Sequence, residues 1–168
     1  GPNIMTAGWW MTAGYNPFRY LVGVSHKTHT YEIIEENREF VLAAPSAEMI
    51  DAVTLSGKVS GEELDKLDHL GLETIPGEEV DVPVLKDAVG NIECRVLDSF
   101  DFKNCTYYFG GVEKAYVSPG GLDGRILSLD EDVLAYMGSD WEDDESLTKH
   151  RYYADVEADD LRSYPGDE

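Results

Sequence analysis

Val22 to Asn37 reads VGVSHKTHTYEIIEEN, and the joint inside it decides the fold. An apolar run ends at Val24, and helical spacing begins a few residues later, with Tyr31 and Ile34 set among the acids Glu32, Glu35 and Glu36. Between them lie Ser25, His26, Lys27, Thr28, His29 and Thr30: hydroxyls, imidazoles and one cation. Working outward, Phe18 to Ser25 (FRYLVGVS) predicts a strand and THTYEIIEEN a helix. Arg38 to Pro45 (REFVLAAP) predicts a buried strand stopped by proline.

The N-terminal side opens GPNIMTAGWWMT, a Gly-Pro-Asn turn leading into a strand. This is the second half of a hairpin, so either an earlier segment precedes it or residues 1 and 2 are a processing scar. On the C-terminal side, SAEMIDAVTLSG predicts a short helix. SGEELDKLDHLG carries a capping box: Ser60 as cap, Glu63 three residues on, then Leu64, Leu67 and Leu70 at helical spacing, with Gly71 as the stop. From PGEEVDVPVLKDAVG onward the pattern turns to strands. In NIECRVLDSF, Ile92, Cys94 and Val96 alternate with Glu93 and Arg95, and a turn at DFKN leads to CTYYFGGVEKAYV. The pair Gly110-Gly111 inside that second strand predicts a bulge or a close backbone approach. GRILSL, DVLAYMG and KHRYYADV follow as short elements. Many strands with few interposed helices point to a barrel with helical excursions rather than a doubly wound sheet.

Composition narrows the partners. With 168 residues the chain is expected to be one domain, 1–168, with an acidic C-terminal extension from about residue 130. The formal charge of −21 argues against nucleic acid or an anionic membrane as the main partner, since those need basic patches. Fourteen of the 34 acids fall in residues 130–168, which reads as a solvated, self-repelling surface. DWEDDES lacks the ligand spacing and central glycine of a calcium loop. No apolar run reaches the roughly 18 residues of a membrane helix, and no signal peptide is recognisable. Cys94 and Cys105 make no disulfide framework. A hairpin turning near Phe100 and Asp101 would set Cys94 opposite Tyr107 or Tyr108, so reduced thiols and a cytoplasmic location are expected.

The donor cluster has two readings. A helix N-terminus presents unpaired N–H groups and partial positive charge, which suits a phosphate, and Lys27, Ser25, Thr28 and Thr30 add to it. Alternatively Thr28 caps the helix and Lys27 is solvated. TAGWWMT combines small residues, which let a ligand approach the backbone, with two tryptophans. Strand alternation sends Trp9 and Trp10 to opposite faces, one for a ring pocket and one for the core, or both for core and interface. His26, His29, His69 and His150 show no metal-ligand spacing with the cysteines or each other and read as surface or capping groups, with His29 adjoining the donor cluster. Metal ligands are therefore not expected. Ser25 lacks the surroundings of a nucleophile elbow.

The chain resembles the flavin-reductase-like, FMN-binding split-barrel family in its flavoredoxin branch. The matching stretches are PNIMTAGWWM, VGVSHKTHTYEIIEENREFVLAAP, SGKVSGEELDKL and ECRVLDSF…YYFGGVEKAYV, in family order over roughly residues 2 to 117. The run Ser56, Gly57, Ser60, Gly61, Asp65, Lys66 is the most specific of them, and residues 118 to 168 match only loosely. The resemblance implies a mainly β split barrel with short helices, forming a homodimer that binds FMN non-covalently near the interface. It implies that Thr6, Ala7, Gly8, Trp9 and Trp10 run past the ring edge, that Ser25, Lys27, Thr28 and Thr30 hold the phosphate and ribityl chain, and that Ser60 and Lys66 lie near the cofactor.

Three departures stand out. The family's first strand, before Pro2, is not in this sequence. Related proteins have asparagine where Ala43 stands, so a ring hydrogen bond falls to backbone or water, with Ala44 among the candidate contacts. Many flavin reductases carry a GDH turn whose histidine lies near nicotinamide or flavin, and here Lys103, Asn104 and Cys105 take those places. Cys105 is then either a redox thiol beside the flavin or a buried strand cysteine. The expected function is transfer of electrons from NADH or NADPH to flavin or a redox partner protein. The alternatives are an FMN-bearing electron carrier without a nicotinamide site, and a flavin-free barrel used as an interaction module.

Overall fold

Val22 and Val24, two residues apart, turn their side chains to one buried face of the strand Phe18–Ser25, which sits inside the main sheet. The structure, a computed structural model, describes residues 1–117, 122–123, 126–127, 133–141 and 149–156. Strand β1 (Trp10–Tyr15) forms a hairpin with β2 (Phe18–Ser25). Helix α1 (His29–Asn37) crosses to β3 (Glu39–Ala44). A 3-10 turn (Ala47–Met49), α2 (Ile50–Ser56), α3 (Lys66–Leu70) and the short strands β4 (Thr74–Ile75) and β5 (Val84–Leu85) follow. The long hairpin of β6 (Gly90–Phe102) and β7 (Cys105–Val117) completes an antiparallel sheet in the order β1-β2-β7-β6-β3. Beyond it, β8 (Leu122–Asp123) pairs with β9 (Ile126–Leu127), and β10 (Val133–Trp141) with β11 (Lys149–Val156). The architecture is mainly β with few short helices. Among the described residues no helix is long and apolar enough to cross a membrane.

The core lies between the sheet and α1. Val22, Val24, Ile34, Phe40, Cys94 and Tyr108 form one cluster, and Met49, Ala52 and Ala88 a second beneath α2. The Tyr108 hydroxyl donates to Glu35 of α1 at 2.8 Å, which keeps its polar end satisfied inside the core. Burial and the neighbouring Glu35 carboxylate both raise the pKa of that phenol. The glycine pair serves a close approach: a Cβ on Gly110 would fall 2.4 Å from Phe40 Cζ. A bulge also sits beside it, since β6 pairs Val96 with Gly110 and Asp98 with Phe109, leaving Leu97 over.

Several expectations are corrected here. The β6–β7 turn centres on Lys103 and Asn104, so Cys94 faces Val112 rather than Tyr107 or Tyr108; both cysteines are free and buried. Residues 6–9 lie outside the β1–β2 ladder, which begins at Trp10, and the chain bends at Trp9. Trp9 and Trp10 are both exposed, so neither packs in the core. Of β3, only Phe40 is fully buried. The helix after Ser60 starts late: Asp65, not Ser60, is its cap and accepts from the Asp68 N–H at 3.1 Å, because residues 61–63 form a turn first. Gly71 does stop it, at φ +62. Glu93, which alternation places on the outer side of β6, is wholly buried. The acidic stretches 130–132, 142–148 and 157–168 lie outside the described residues.

Glu93 is buried because the loop before β5 folds over it and supplies donors. Its carboxylate accepts the N–H groups of Glu78 (3.0 Å), Glu79 (2.7 Å) and Val80 (3.0 Å) and the Tyr116 hydroxyl. Burial alone would raise its pKa; the Tyr116 hydroxyl and the three amides outweigh that and hold it below the usual glutamate range.

Candidate functional site

The end of β2 and the start of α1 form one hydrogen-bonded turn. The Ser25 carbonyl accepts from the Thr28 N–H (3.0 Å) and the Thr28 hydroxyl (2.8 Å), and Thr28 Oγ1 accepts from the Tyr31 N–H at 3.3 Å. Thr28 is thus the N-cap, and its hydroxyl hydrogen is engaged in shaping the turn. Thr30 differs: its Oγ1 accepts from Asn3 Nδ2 at 2.9 Å, which leaves its own hydrogen to donate. Ser25 Oγ accepts a long bond from the Lys27 N–H (3.4 Å) and also keeps its hydrogen. Lys27 is exposed and makes no ion pair among the described residues. The amides of His29 and Thr30 belong to the first turn, where a helix supplies no internal acceptors.

Two other segments close on this turn. Gly61 packs so tightly on Asn3 that a Cβ there would lie 2.4 Å from Asn3 Oδ1. The next residue, Glu62, brings a carboxylate oxygen to His29 and Glu32, the three ligand atoms lying within 4.8 Å of one another. His29 Nδ1 is 3.2 Å from Glu32 Oε2, so its partner is the helix's own acid. Sequence spacing could not show this cluster, because it joins residues from separate segments. Asn3 was missed for the same reason.

The remaining candidates divide. The Thr6 hydroxyl donates to the Val53 carbonyl of α2 at 2.5 Å, which ties the N-terminal segment to that helix. The Trp9 carbonyl accepts from the Gly23 N–H at 2.7 Å, while Ala7 is half-buried and Gly8 exposed. Trp10 lies against Tyr20 with ring centroids 6.1 Å apart. Ser60 Oγ accepts from the Glu62 N–H (3.3 Å), in the loop that meets α1. Lys66 is buried, and its ammonium donates to the carbonyls of Val59 (3.2 Å) and Ser56 (3.5 Å) rather than to a carboxylate. Burial lowers its pKa. The Ala44 carbonyl accepts from the Val89 N–H at 2.9 Å. Cys105 is a buried strand residue whose thiol reaches only Asn104 Oδ1, at 3.9 Å. The Cys94 thiol is pushed up to about 12 by burial and by Glu113.

The donors of the turn, two hydroxyl hydrogens, first-turn amides and an unpaired ammonium, have the chemistry of a seat for a phosphate group. With the antiparallel sheet and the segment ahead of β1, they define a split-barrel protein with a donor-rich turn at a strand-to-helix joint. The chain belongs to the flavin reductase-like family: the family described as "Flavin reductase like domain" matches residues 1–140, well past residue 117. An uncharacterized protein of Pyrococcus abyssi is 32% identical over 135 residues, covering 80% of this chain and 77% of that protein. Among solved structures, the flavoredoxin from Methanosarcina acetivorans superposes with a TM-score of 0.79 at 27% identity, covering 98% of this chain and 82% of that one. The flavoredoxin of Desulfovibrio vulgaris (Miyazaki F) gives 0.78 at 25% identity, covering 98% and 83%.

Proposed function

We propose that this chain is a flavin-dependent redox protein that holds FMN non-covalently, with the phosphate at the turn from Ser25 to Thr30. The observation that carries the reading is the convergence of Lys27, the Thr28-capped start of α1 and the Asn3-braced Thr30 hydroxyl. Bound flavin accepts a hydride or passes single electrons. The protein's own part is to bind and orient. Lys27, Ser25, Thr30 and the first-turn amides take the phosphate, and Thr28 shapes their turn. The backbone of Thr6, Ala7, Gly8, Trp9 and Trp10 borders the ring, with Ala44, Ser60 and Lys66 as outer candidates. On this reading residues 1–168 act as one domain, in the reducing cytoplasm that two free cysteines suit.

The electron donor is NADH or NADPH, and the acceptor is free flavin or a redox partner protein. A second reading, an electron carrier without a nicotinamide site, is favoured by the β6–β7 turn, where Lys103 and Asn104 occupy the tip and no histidine is present. A homodimer is part of the proposal: Trp9, Trp10, Met11, Phe100 and Phe102 are each about half exposed, an apolar surface that calls for a cover.

The test is an absorbance spectrum of the purified protein before and after adding FMN, followed by NADH and NADPH oxidation with and without free FMN. Flavin bands near one per chain, weakened about tenfold by Lys27→Ala, support the seat. A colourless protein indifferent to FMN refutes it. Bound flavin without nicotinamide oxidation selects the carrier.

A further inference from the structure

His26 stands between Ser25 and Lys27, yet its ring is engaged with the far hairpin. Its Nε2 lies 2.9 Å from Thr106 Oγ1, and Thr106 in turn donates to Asp101 Oδ1 at 2.6 Å. The direction of this chain follows from valence. A carboxylate only accepts, so the single Thr106 hydroxyl hydrogen goes to Asp101. Thr106 can then only accept from His26, which places a hydrogen on Nε2. The Asp101 carboxylate is itself 3.7 Å from Nε2, on the same side. Thr106 is buried, Tyr31 lies against the imidazole with centroids 4.6 Å apart, and the His26 N–H donates to the Asn104 carbonyl at 2.9 Å. The ring is therefore held from β6, β7 and α1 at once.

With hydrogen on Nε2, neutral His26 carries a lone pair on Nδ1, the ring nitrogen nearest its own backbone in the seat turn. Nδ1 has no partner among the described residues. The other groups of the turn, Lys27, the Ser25 and Thr30 hydroxyls and the amides, are donors. A phosphate dianion offers no hydrogen to Nδ1, whereas the hydroxyls of the chain joining phosphate to ring do. We propose that His26 is a further binding residue of the seat, accepting a hydrogen bond from a ribityl hydroxyl, and that Thr106 and Asp101 position it. This rests on the flavin reading and adds to it an acceptor specific for the tether.

The experiment is titration of wild type, His26→Phe and Thr106→Val with FMN, riboflavin and lumiflavin, which lacks the ribityl chain. It is paired with imidazole nitrogen NMR of the flavin-free wild type and Thr106→Val. His26→Phe keeps a ring against Tyr31, so FMN and riboflavin should each weaken about fivefold to tenfold while lumiflavin is unchanged. The wild-type spectrum should show hydrogen on Nε2, and Thr106→Val should release that preference. Unchanged FMN and riboflavin affinity in His26→Phe, equal loss for all three flavins, or hydrogen on Nδ1 in wild type overturns the inference. If wild type binds FMN and only these signatures fail, the flavin reading stands. If wild type binds no flavin, both fall. The NMR arm decides the positioning chain even where His26→Phe does not fold.

Discussion

Replacing Glu93 by glutamine turns a carboxylate that accepts four hydrogen bonds into an amide with one accepting oxygen and one donating nitrogen. With the NH2 group on the Oε2 side the amides of Glu79 and Val80 both lose their acceptor; with it on the Oε1 side the amide of Glu78 does, while the Tyr116 hydroxyl can turn to accept. The site is fully buried, so the stranded donors cannot turn to water. Each hydrogen bond to a charged group is worth about 1.5–3 kcal/mol, so one or two lost bonds give a destabilisation of about 1.5–6 kcal/mol. In a chain of this size that lowers the melting temperature by about 3–24 °C. The pH dependence has a definite sign. The folded carboxyl lies below its ordinary value, so its contribution is fully present above the unfolded pKa of about 4.3 and is lost as pH falls through the lower folded value. The gap between Glu93→Gln and wild type should thus be full at pH 7 and narrow below about pH 4. Urea unfolding of both proteins at these two pH values, read by circular dichroism, checks it. A difference under about 0.5 kcal/mol at pH 7, or one that widens in acid, would refute the account of a charged, donor-lined anchor.

Three further substitutions probe other links. Gly110→Ala places a Cβ 2.4 Å from Phe40 Cζ and about 3 Å from Cys94 Cβ, and should cost about 2–3 kcal/mol in urea unfolding; a neutral result would mean that Phe40 can swing away. Lys66→Met removes a buried ammonium held by two carbonyls, and should leave FMN affinity within about twofold; a tenfold loss, measured by flavin fluorescence quenching, would move Lys66 into the cofactor's contact set. Gly61→Ala should displace Asn3 and weaken FMN binding about fivefold while changing stability by less than about 1 kcal/mol. Adding Asn3→Ala should then weaken binding no further.

Local signals read well where the decisive contacts are local. Phe18–Ser25 and α1 follow from Val22 and Val24 alternating, from Ile34, and from a threonine at the cap, all within a few residues of one another. The DFKN turn was visible, but its centre lies at Lys103 and Asn104, and bulges at Leu97 and Glu113 that no propensity marks shift the facing pairs between them by one residue. The capping box at Ser60 was a sound local pattern overridden from outside: Gly61 is held against Asn3, and the helix waits for Asp65. Alternation sets Glu93 on the face opposite Ile92, Cys94 and Val96 and cannot foresee a loop folding over it. The same holds at the seat. Ser25, Lys27, Thr28 and Thr30 were legible as a donor cluster, whereas Asn3, Glu62 and Thr106 reach it only through the tertiary fold. His26 and Thr106 lie 80 residues apart.

The charge of the chain sharpens what Lys27 does. A formal charge of −21 opposes an approaching phosphate, yet most of that field is screened within about 8–10 Å at ordinary salt. Local arrangement therefore decides. Lys86 is matched by Glu73, Lys114 by Glu78 and Arg95 by Glu39, whereas Lys27 has no ion-pair partner among the described residues and stands beside a helix start whose partial charge has the same sign. Glu32 and Glu62 gather at His29, and neither pairs with Lys27. That leaves a cation beside the half-buried hydroxyls of Ser25 and Thr30. On the proposed reading, a phosphate on a short tether, with more oxygens to share among hydroxyls, amides and ammonium, suits this arrangement better than a free carboxylate.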